Sequence, residues 1–368
     1  MAIVDTHIDI PYQLDDEMRD IGVRDETLNF DYPRAREGGL DVAFMSIYVP
    51  ASYQESGGAL EKGDELIDLV ESVVQRHPDK FVLVTDVDAA TAGLQDDRVE
   101  LALGMENGAP IEDDLDNLRH FYDRGIRYIT LTHSKHNQIC DSSYDKEPGW
   151  NGLSEFGERV VLEMNRLGMM IDVSHVSDAA FERVLERTRA PVIASHSSCR
   201  HFTADWERNM SDEMIRKLGQ NGGVIQINFG SAFLHQAAHD QSMVNWDAHE
   251  AYIEEHGLDG NDPAVEAFGK QYWEERERIY ADVSDVADHI DRVVELAGVD
   301  HVGLGSDFDG VGDSLPTGLK DVSQYPNLIR ELLLRGYTDE QVEKICGGNL
   351  LRVWARVEEI GREGAVGG

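Results

Sequence analysis

The sequence predicts a (β/α)8 barrel with helical insertions and a polar site at the C-terminal ends of its strands. Three observations predict it. Strand-like and helix-like segments alternate along the chain. The strand-like runs are apolar without a period of two, as in a parallel sheet covered by helices. About eight principal strands can be counted, the number that closes a barrel, and most run into His, Asp or Glu.

The first strand occupies 2–10, with Pro11 as its terminator. Alternation along a strand aims His7 and Asp9 into one space. Two readings stand for this pair: a polar strand end meeting solvent, or part of a metal site. Residues 12–38 read as irregular. Leu40 to Val49 is the second strand, ended by Pro50. A helix over 59–76 carries Leu66, Val70, Val73 and Val74 on one face. The 81–84 segment is a strand placed outside the barrel. Leu101 to Glu106 is a strand ending in Glu106, and the helix near 112–124 closes at Gly125.

Ile126 to Thr132 is a strand with His133 at its end, and 134–152 is a loop. Helix 156–167 is ended by Gly168. Strand 169–174 is followed by His175, and a helix over 178–188 comes next. Strand 191–195 is followed by His196, and 223–228 is another strand. Residues 231–282 form an acidic helical insertion. Helix 284–297 leads to strand 302–306, which ends in Asp307. The C-terminal helices lie near 322–335 and 339–357, the second with Thr338 and Gln341 as a capping box. No repeat or composition break marks a second domain, so residues 1–368 read as one barrel domain.

Composition narrows the function. The 368 residues hold 71 acids against 33 bases, a formal net charge of −38. The acids are spread along the chain, which argues against nucleic acid and anionic membrane as partners. Such a surface suits concentrated salt, where self-repulsion is screened, and suggests a halophilic cytoplasm. Cys140, Cys199 and Cys346 are scattered and suggest no disulfide framework. With no secretory leader and no spanning apolar run, the expectation is a soluble cytoplasmic protein.

The polar strand ends carry His7, Asp9, Glu106, His133, His175, His196 and Asp307. Neutral imidazole is the commonest metal ligand, and a cluster of this kind is hard to reach by chance. Two metals fit better than one. His7 and Asp9 can hold the first, His175 and His196 the second, with Glu106 offering one oxygen to each. Such a pair, roughly 3.5–4 Å apart, holds a bridging hydroxide. The N/O set points to zinc, with manganese, cobalt or iron able to substitute. Other titratable residues have blander readings. His120, His201, His235, His239, His289 and His301 are structural or exposed. His136 faces the loop, Asp309 is a supporting or capping acid, and Lys135 is a surface residue. The acidic 247–285 region is a solvated helical face or a dimer element.

Nine stretches carry a resemblance to a known family: Asp5 to Pro11, Phe81 to Asp86, Gly104 to Gly108, Leu131 to Ser134, Ile171 to Ser177, Pro191 to Ser198, Arg208 to Met210, Gly303 to Gly310 and Gly348 to Val353. In these, and in their order, the chain resembles the membrane (renal) dipeptidase family of amidohydrolase-like metal barrels. The resemblance implies a metallo-dipeptidase that cleaves free dipeptides. It implies two zinc ions per chain on His7, Asp9, Glu106, His175 and His196, bridged by Glu106 and a hydroxide. It implies that His133 meets the substrate carbonyl or its oxyanion, Arg208 binds the terminal carboxylate and Asp307 handles the proton. It also implies a homodimer. Phe229-Gly230-Ser231 carries no aromatic hydroxyl where the family has one. Two other functions compete. One is a different metal hydrolase reaction on the same barrel, on a cyclic amide, an N-acyl amino acid or an amine. The other is a non-catalytic metal-binding protein.

Overall fold

The computed structural model describes residues 1–94, 97–145, 147–258 and 262–366. Among these, nine strands form one parallel sheet: β1 (Val4–Ile8), β2 (Val42–Tyr48), β3 (Phe81–Leu83), β4 (Val99–Glu106), β5 (Ile126–Thr130), β6 (Met170–Asp172), β7 (Ile193–Ser197), β8 (Val224–Ile227) and β9 (Val302–Leu304). Their order is β2-β1-β9-β8-β7-β6-β5-β4-β3, and β2 also pairs with β4. That last pairing closes a ring of eight and leaves β3 outside it. β3 takes the N-terminal part of one edge of β4, Phe81 beside Val99, while β5 takes the C-terminal part, Thr130 beside Glu106. The barrel is therefore the closed (β/α)8 barrel that the alternation of elements predicts.

Helices bury one apolar stripe each against this ring. Ala59–Arg76 buries Leu66, Ile67, Val70 and Val73. Glu155–Leu167 ends at Gly168, whose left-handed φ of 76° caps it. Thr338 and Gln341 form the capping box that the spacing predicts. At the N-terminal ends of the strands, Val353, Trp354 and Val357 of the C-terminal helix cluster with Val4, Phe44, Ala102 and Val224 and stop that end of the barrel. The opposite end stays polar.

The structure departs from the sequence reading in four places. The 12–38 stretch is not wholly irregular: helices span Ile10–Asp16 and Tyr32–Gly38. Pro11 and Pro33 sit in their first turns, where a missing N–H costs nothing, so Pro11 starts a helix that follows the strand. The last helix is not continuous from 339 to 357. A short helix Asp339–Glu343 passes through a π turn, Lys344–Gly348, into Asn349–Val366. The glycine pair there interrupts the regular ladder. Strand β7 extends to Ser197, so His196 lies within the strand and not after it. Asp9 lies beyond the end of β1. The 231–282 insertion holds the helices Ser231–Leu234, Gln236–His256 and Pro263–Glu274. No helix among the described residues is long and apolar enough to cross a membrane.

Candidate metal centre and active site

Local irregularities, and not ideal strand geometry, aim the site's side chains. The register of β1 against β2 slips between Asp5 and Ile8, and that of β7 against β8 slips between Ala194 and Ser197. His7 and His196 sit in these slips, and such bulges re-aim side chains. His175 and Asp307 hold left-handed backbones, with φ of 67° and 63°. Strain of this kind, outside glycine, clusters at functional sites. His7 and Asp9 do meet, with Nε2 3.5 Å from Oδ2, but across a strand end and not by alternation along it.

Glu106 is the hub. Its Oε2 lies 3.5 Å from His7 Nε2, and Ser46 Oγ donates to the same oxygen at 3.3 Å. Its Oε1 lies 3.2 Å from His175 Nε2, 3.3 Å from His196 Nε2 and 3.5 Å from His133 Nε2. Three sets of ligand atoms each converge within 4.8 Å: His7, Glu106 and His196; Glu106, His133 and His175; His7, Asp9 and Asp307. The five residues read as metal ligands are thus together. His133 and Asp307, read from the sequence as part of this cluster but not as metal ligands, come within the same reach.

Electrostatics favour a cation. Burial opposes charge on Glu106, yet His7 and His133 with the other imidazoles hold it ionised, well below its ordinary range. Burial and the Arg208 guanidinium push His175 down, and burial, His7 and Arg208 push His196 down, which leaves both as neutral ligands. Burial disfavours charge on His7, but Tyr128, Asp9 and Glu106 outweigh it and raise its pKa well above normal. Its Nε2 is buried without a hydrogen-bond partner. The position demands positive charge beside Nε2, and a divalent cation among nitrogen and carboxylate donors meets that demand.

Arg208 is 2 % exposed. It donates to Ser197 Oγ at 2.7 Å, to the His196 carbonyl at 2.7 Å and to His175 Nε2 at 3.0 Å. The ring of Phe233 lies 5.1 Å from its guanidinium carbon. Its Nε has no partner, and among the described residues no carboxylate pairs with it. Asp307 accepts from Asn228 Nδ2 at 2.6 Å. Burial, then the neighbouring Asp9 carboxylate, raises its pKa. Gly310 leaves room for this pair, since a Cβ there would meet Asp9 Oδ2 at 2.1 Å and Asp307 Oδ1 at 2.3 Å. Asp309 accepts from the backbone N–H groups of Asn29 at 2.7 Å and Phe30 at 3.0 Å.

Several functional neighbours lie outside the sequence reading. Tyr48, at the end of β2, packs its ring 4.7 Å from that of His133. Tyr144 stands over His175, with ring centroids 5.8 Å apart. Tyr128, Asp172, Ser195 and Asn228 surround the site with hydrogen bonds. The only signal available for them was a polar side chain inside an apolar run.

Comparison with known proteins follows the same line. A family model described as membrane dipeptidase (peptidase family M19) matches residues 1–365. The chain is 34% identical to an uncharacterised dipeptidase of Schizosaccharomyces pombe over 97% of this chain and 81% of that protein. It is 36% identical to dipeptidase aclJ of Aspergillus oryzae over 90% of this chain and 71% of that one. The crystal structure of the probable dipeptidase PvdM from Pseudomonas aeruginosa matches with a TM-score of 0.81 at 27% identity, over 98% of this chain and 96% of that one.

Proposed function

The chain belongs to the membrane dipeptidase family, peptidase family M19, and is a metallo-dipeptidase; on that premise we propose how its residues divide the work. His7, Asp9 and Glu106 would hold one zinc ion, and Glu106, His175 and His196 would hold a second. Two such ions, when bound, supply a hydroxide from water at neutral pH and polarise the scissile carbonyl. What remains is done by side chains.

The observation that carries the proposal is Arg208. A buried guanidinium without a carboxylate partner is costly, and a substrate carboxylate offsets that cost. Its planar fork suits a bidentate grip on the C-terminal carboxylate of a dipeptide. The grip stands within hydrogen-bond reach of His175, so it sets a short distance from carboxylate to scissile bond. A dipeptide, with one residue between its scissile carbonyl and its carboxylate, fits that distance. Burial and Arg208 keep His133 neutral, so it has one N–H to give to the oxyanion as it forms. Asp307, held by Asn228, takes the proton released on attack and returns it to the leaving amine.

The test is hydrolysis by zinc-loaded protein in molar KCl. The substrates are L-L and L-D dipeptides, an N-acetylated dipeptide, a dipeptide amide and a tripeptide. Cleavage of free dipeptides with little turnover of the amide or the tripeptide supports the proposal. Equal turnover of the amide would defeat the role of Arg208. A cytoplasm rich in salt is the proposed setting, supported by the net charge of −38.

A further inference from the structure

We propose that Tyr128 and Ser195, two hydroxyls buried inside the barrel, are positioning residues that select the tautomers of His7 and His196 and so aim both Nε2 lone pairs at Glu106. The inference rests on the binuclear reading above and adds what makes its histidines ready to bind.

Tyr128 leaves β5 and reaches across to β1. Its ring fills the space that Gly104 leaves open, where a Cβ would meet it at 2.0 Å. Its hydroxyl lies 2.8 Å from the Thr6 carbonyl and 2.9 Å from His7 Nδ1. A carbonyl only accepts, so the single phenolic proton lies on the line to Thr6. The contact with His7 must then be a bond donated by Nδ1–H. A neutral ring with its proton on Nδ1 has its lone pair on Nε2, and His7 Nε2 faces Asp9 and Glu106.

Ser195 does the same for His196 through different chemistry. Asp172 accepts from Thr130 Oγ1 at 2.5 Å, from the backbone N–H groups of Ser174 at 3.0 Å and Ser195 at 2.8 Å, and from Ser195 Oγ at 2.6 Å. Four donors on one carboxylate leave it acceptor only. The Ser195 proton is therefore committed to Asp172, and Ser195 Oγ can only accept from His196 Nδ1–H, 2.7 Å away. The His196 Nε2 lone pair is left facing Glu106 Oε1. In water a neutral imidazole carries its proton mainly on Nε2, the wrong nitrogen for this site. Partners of this kind fix ligand tautomer and orientation, and their loss weakens metal binding. His175 has no such partner, because its Nδ1 is buried and unpaired. The three histidines of the centre therefore differ in how they are held.

The test uses the full chain with Tyr128→Phe and Ser195→Ala, both of which keep or reduce side-chain volume. Zinc affinity is read by competition with a chromophoric chelator, and the ring nitrogens of His196, which is neutral in metal-free protein, by 15N shifts of labelled histidine. Each variant is expected to lose about 10–100-fold in affinity for one of the two ions, and Ser195→Ala to show His196 shifting toward the Nε2–H tautomer. Melting curves of the metal-free proteins report folding separately. Unchanged zinc affinity in both folded variants overturns the proposal and leaves the dipeptidase reading standing. Wild-type protein that binds no zinc overturns both.

Discussion

Glu106 turns one oxygen to His7 and the other to His175, at 3.5 and 3.2 Å from their Nε2 atoms. One carboxylate therefore faces both halves of the centre. Glu106→Gln keeps the shape but replaces one oxygen by an NH2 group, which cannot serve as a ligand. The substitution is expected to drop metal content toward one ion per chain and hydrolysis by more than about 100-fold. Metal analysis of dialysed protein and dipeptide turnover check both. Full turnover in this variant would sink the binuclear mechanism.

Arg208→Ala removes a buried cation whose partner is the substrate. Truncating one member of a buried charge pair costs roughly 2–5 kcal/mol, so kcat/KM for a free dipeptide should fall at least about 30-fold. Most of the loss should fall on KM, because the contact is made in ground and transition states alike. A dipeptide amide provides the control. Wild type should prefer the acid strongly, and the variant should not distinguish the two. A variant that kept the preference would place the carboxylate elsewhere.

Asn228 donates to Asp307, and the bond stabilises the ionised carboxylate. Asn228→Ala removes it, so the Asp307 pKa should rise further above its ordinary value. The active form of a general base is ionised. The acidic limb of the kcat/KM profile should therefore move to higher pH by about one unit, since one unit corresponds to about 1.4 kcal/mol. A profile that loses height without moving would mean that Asp307 is not the titrating base.

The barrel and the cluster of polar side chains at its strand ends were largely legible because strand ends are where sequence pattern and chemistry coincide. Glu106, His133 and His175 follow apolar runs directly, and no tertiary detail is needed to see them. His7 and Asp9 were found by alternation, although a register slip disturbs alternation there. His196 was found as a strand end and proved to lie inside a strand. Tyr128, Asp172 and Ser195 were not legible. Each sits in an apolar run, and its partner lies on another strand, so no local period marks it. Arg208 became visible only through resemblance, since it lies in a loop whose position depends on the whole fold. The 10–16 helix was hidden because Pro11 was read as a stop and not as a first-turn residue, and the 32–38 helix because its polar surroundings read as irregular.

His289 is fully buried, accepts from the Cys199 N–H on Nδ1 at 2.9 Å and lies 3.1 Å from the Leu234 carbonyl through Nε2. Burial pushes its pKa down to about 4. An unfolded chain therefore takes up a proton near pH 6.5 that the folded one refuses until about pH 4. The stability held above pH 6.5 is lost as pH falls through this window, by about 3 kcal/mol from this group. His289→Gln keeps an acceptor and a donor without a titration. Urea unfolding at pH 7.5 and 4.5 should show a smaller acid loss in the variant than in wild type. Equal losses would assign the acid sensitivity to other groups.

The surplus of acids should make the fold salt-dependent. Many surface arginines are already committed: Arg335 pairs with Asp288, Asp291 and Glu331, and Arg124 contacts Asp64, Asp68 and Glu71. Salt weakens such exposed pairs, but each is worth only about 0–1 kcal/mol. The uncompensated charge of −38 repels over a Debye length of about 10 Å at 0.1 M, which shrinks to about 3 Å at 1 M. Relief of repulsion therefore outweighs loss of pairs, and the melting temperature should climb by several degrees between 0.1 and 2 M KCl. Potassium chloride is the salt of choice because sulfate would add a general stabilisation through exclusion from the surface. Neutralising substitutions on the exposed helix Gln236–His256, such as Glu254→Gln with Glu255→Gln, should raise stability at low salt and leave it unchanged at 2 M. A melting temperature equal at low and molar KCl would remove the argument for a salt-rich cytoplasm.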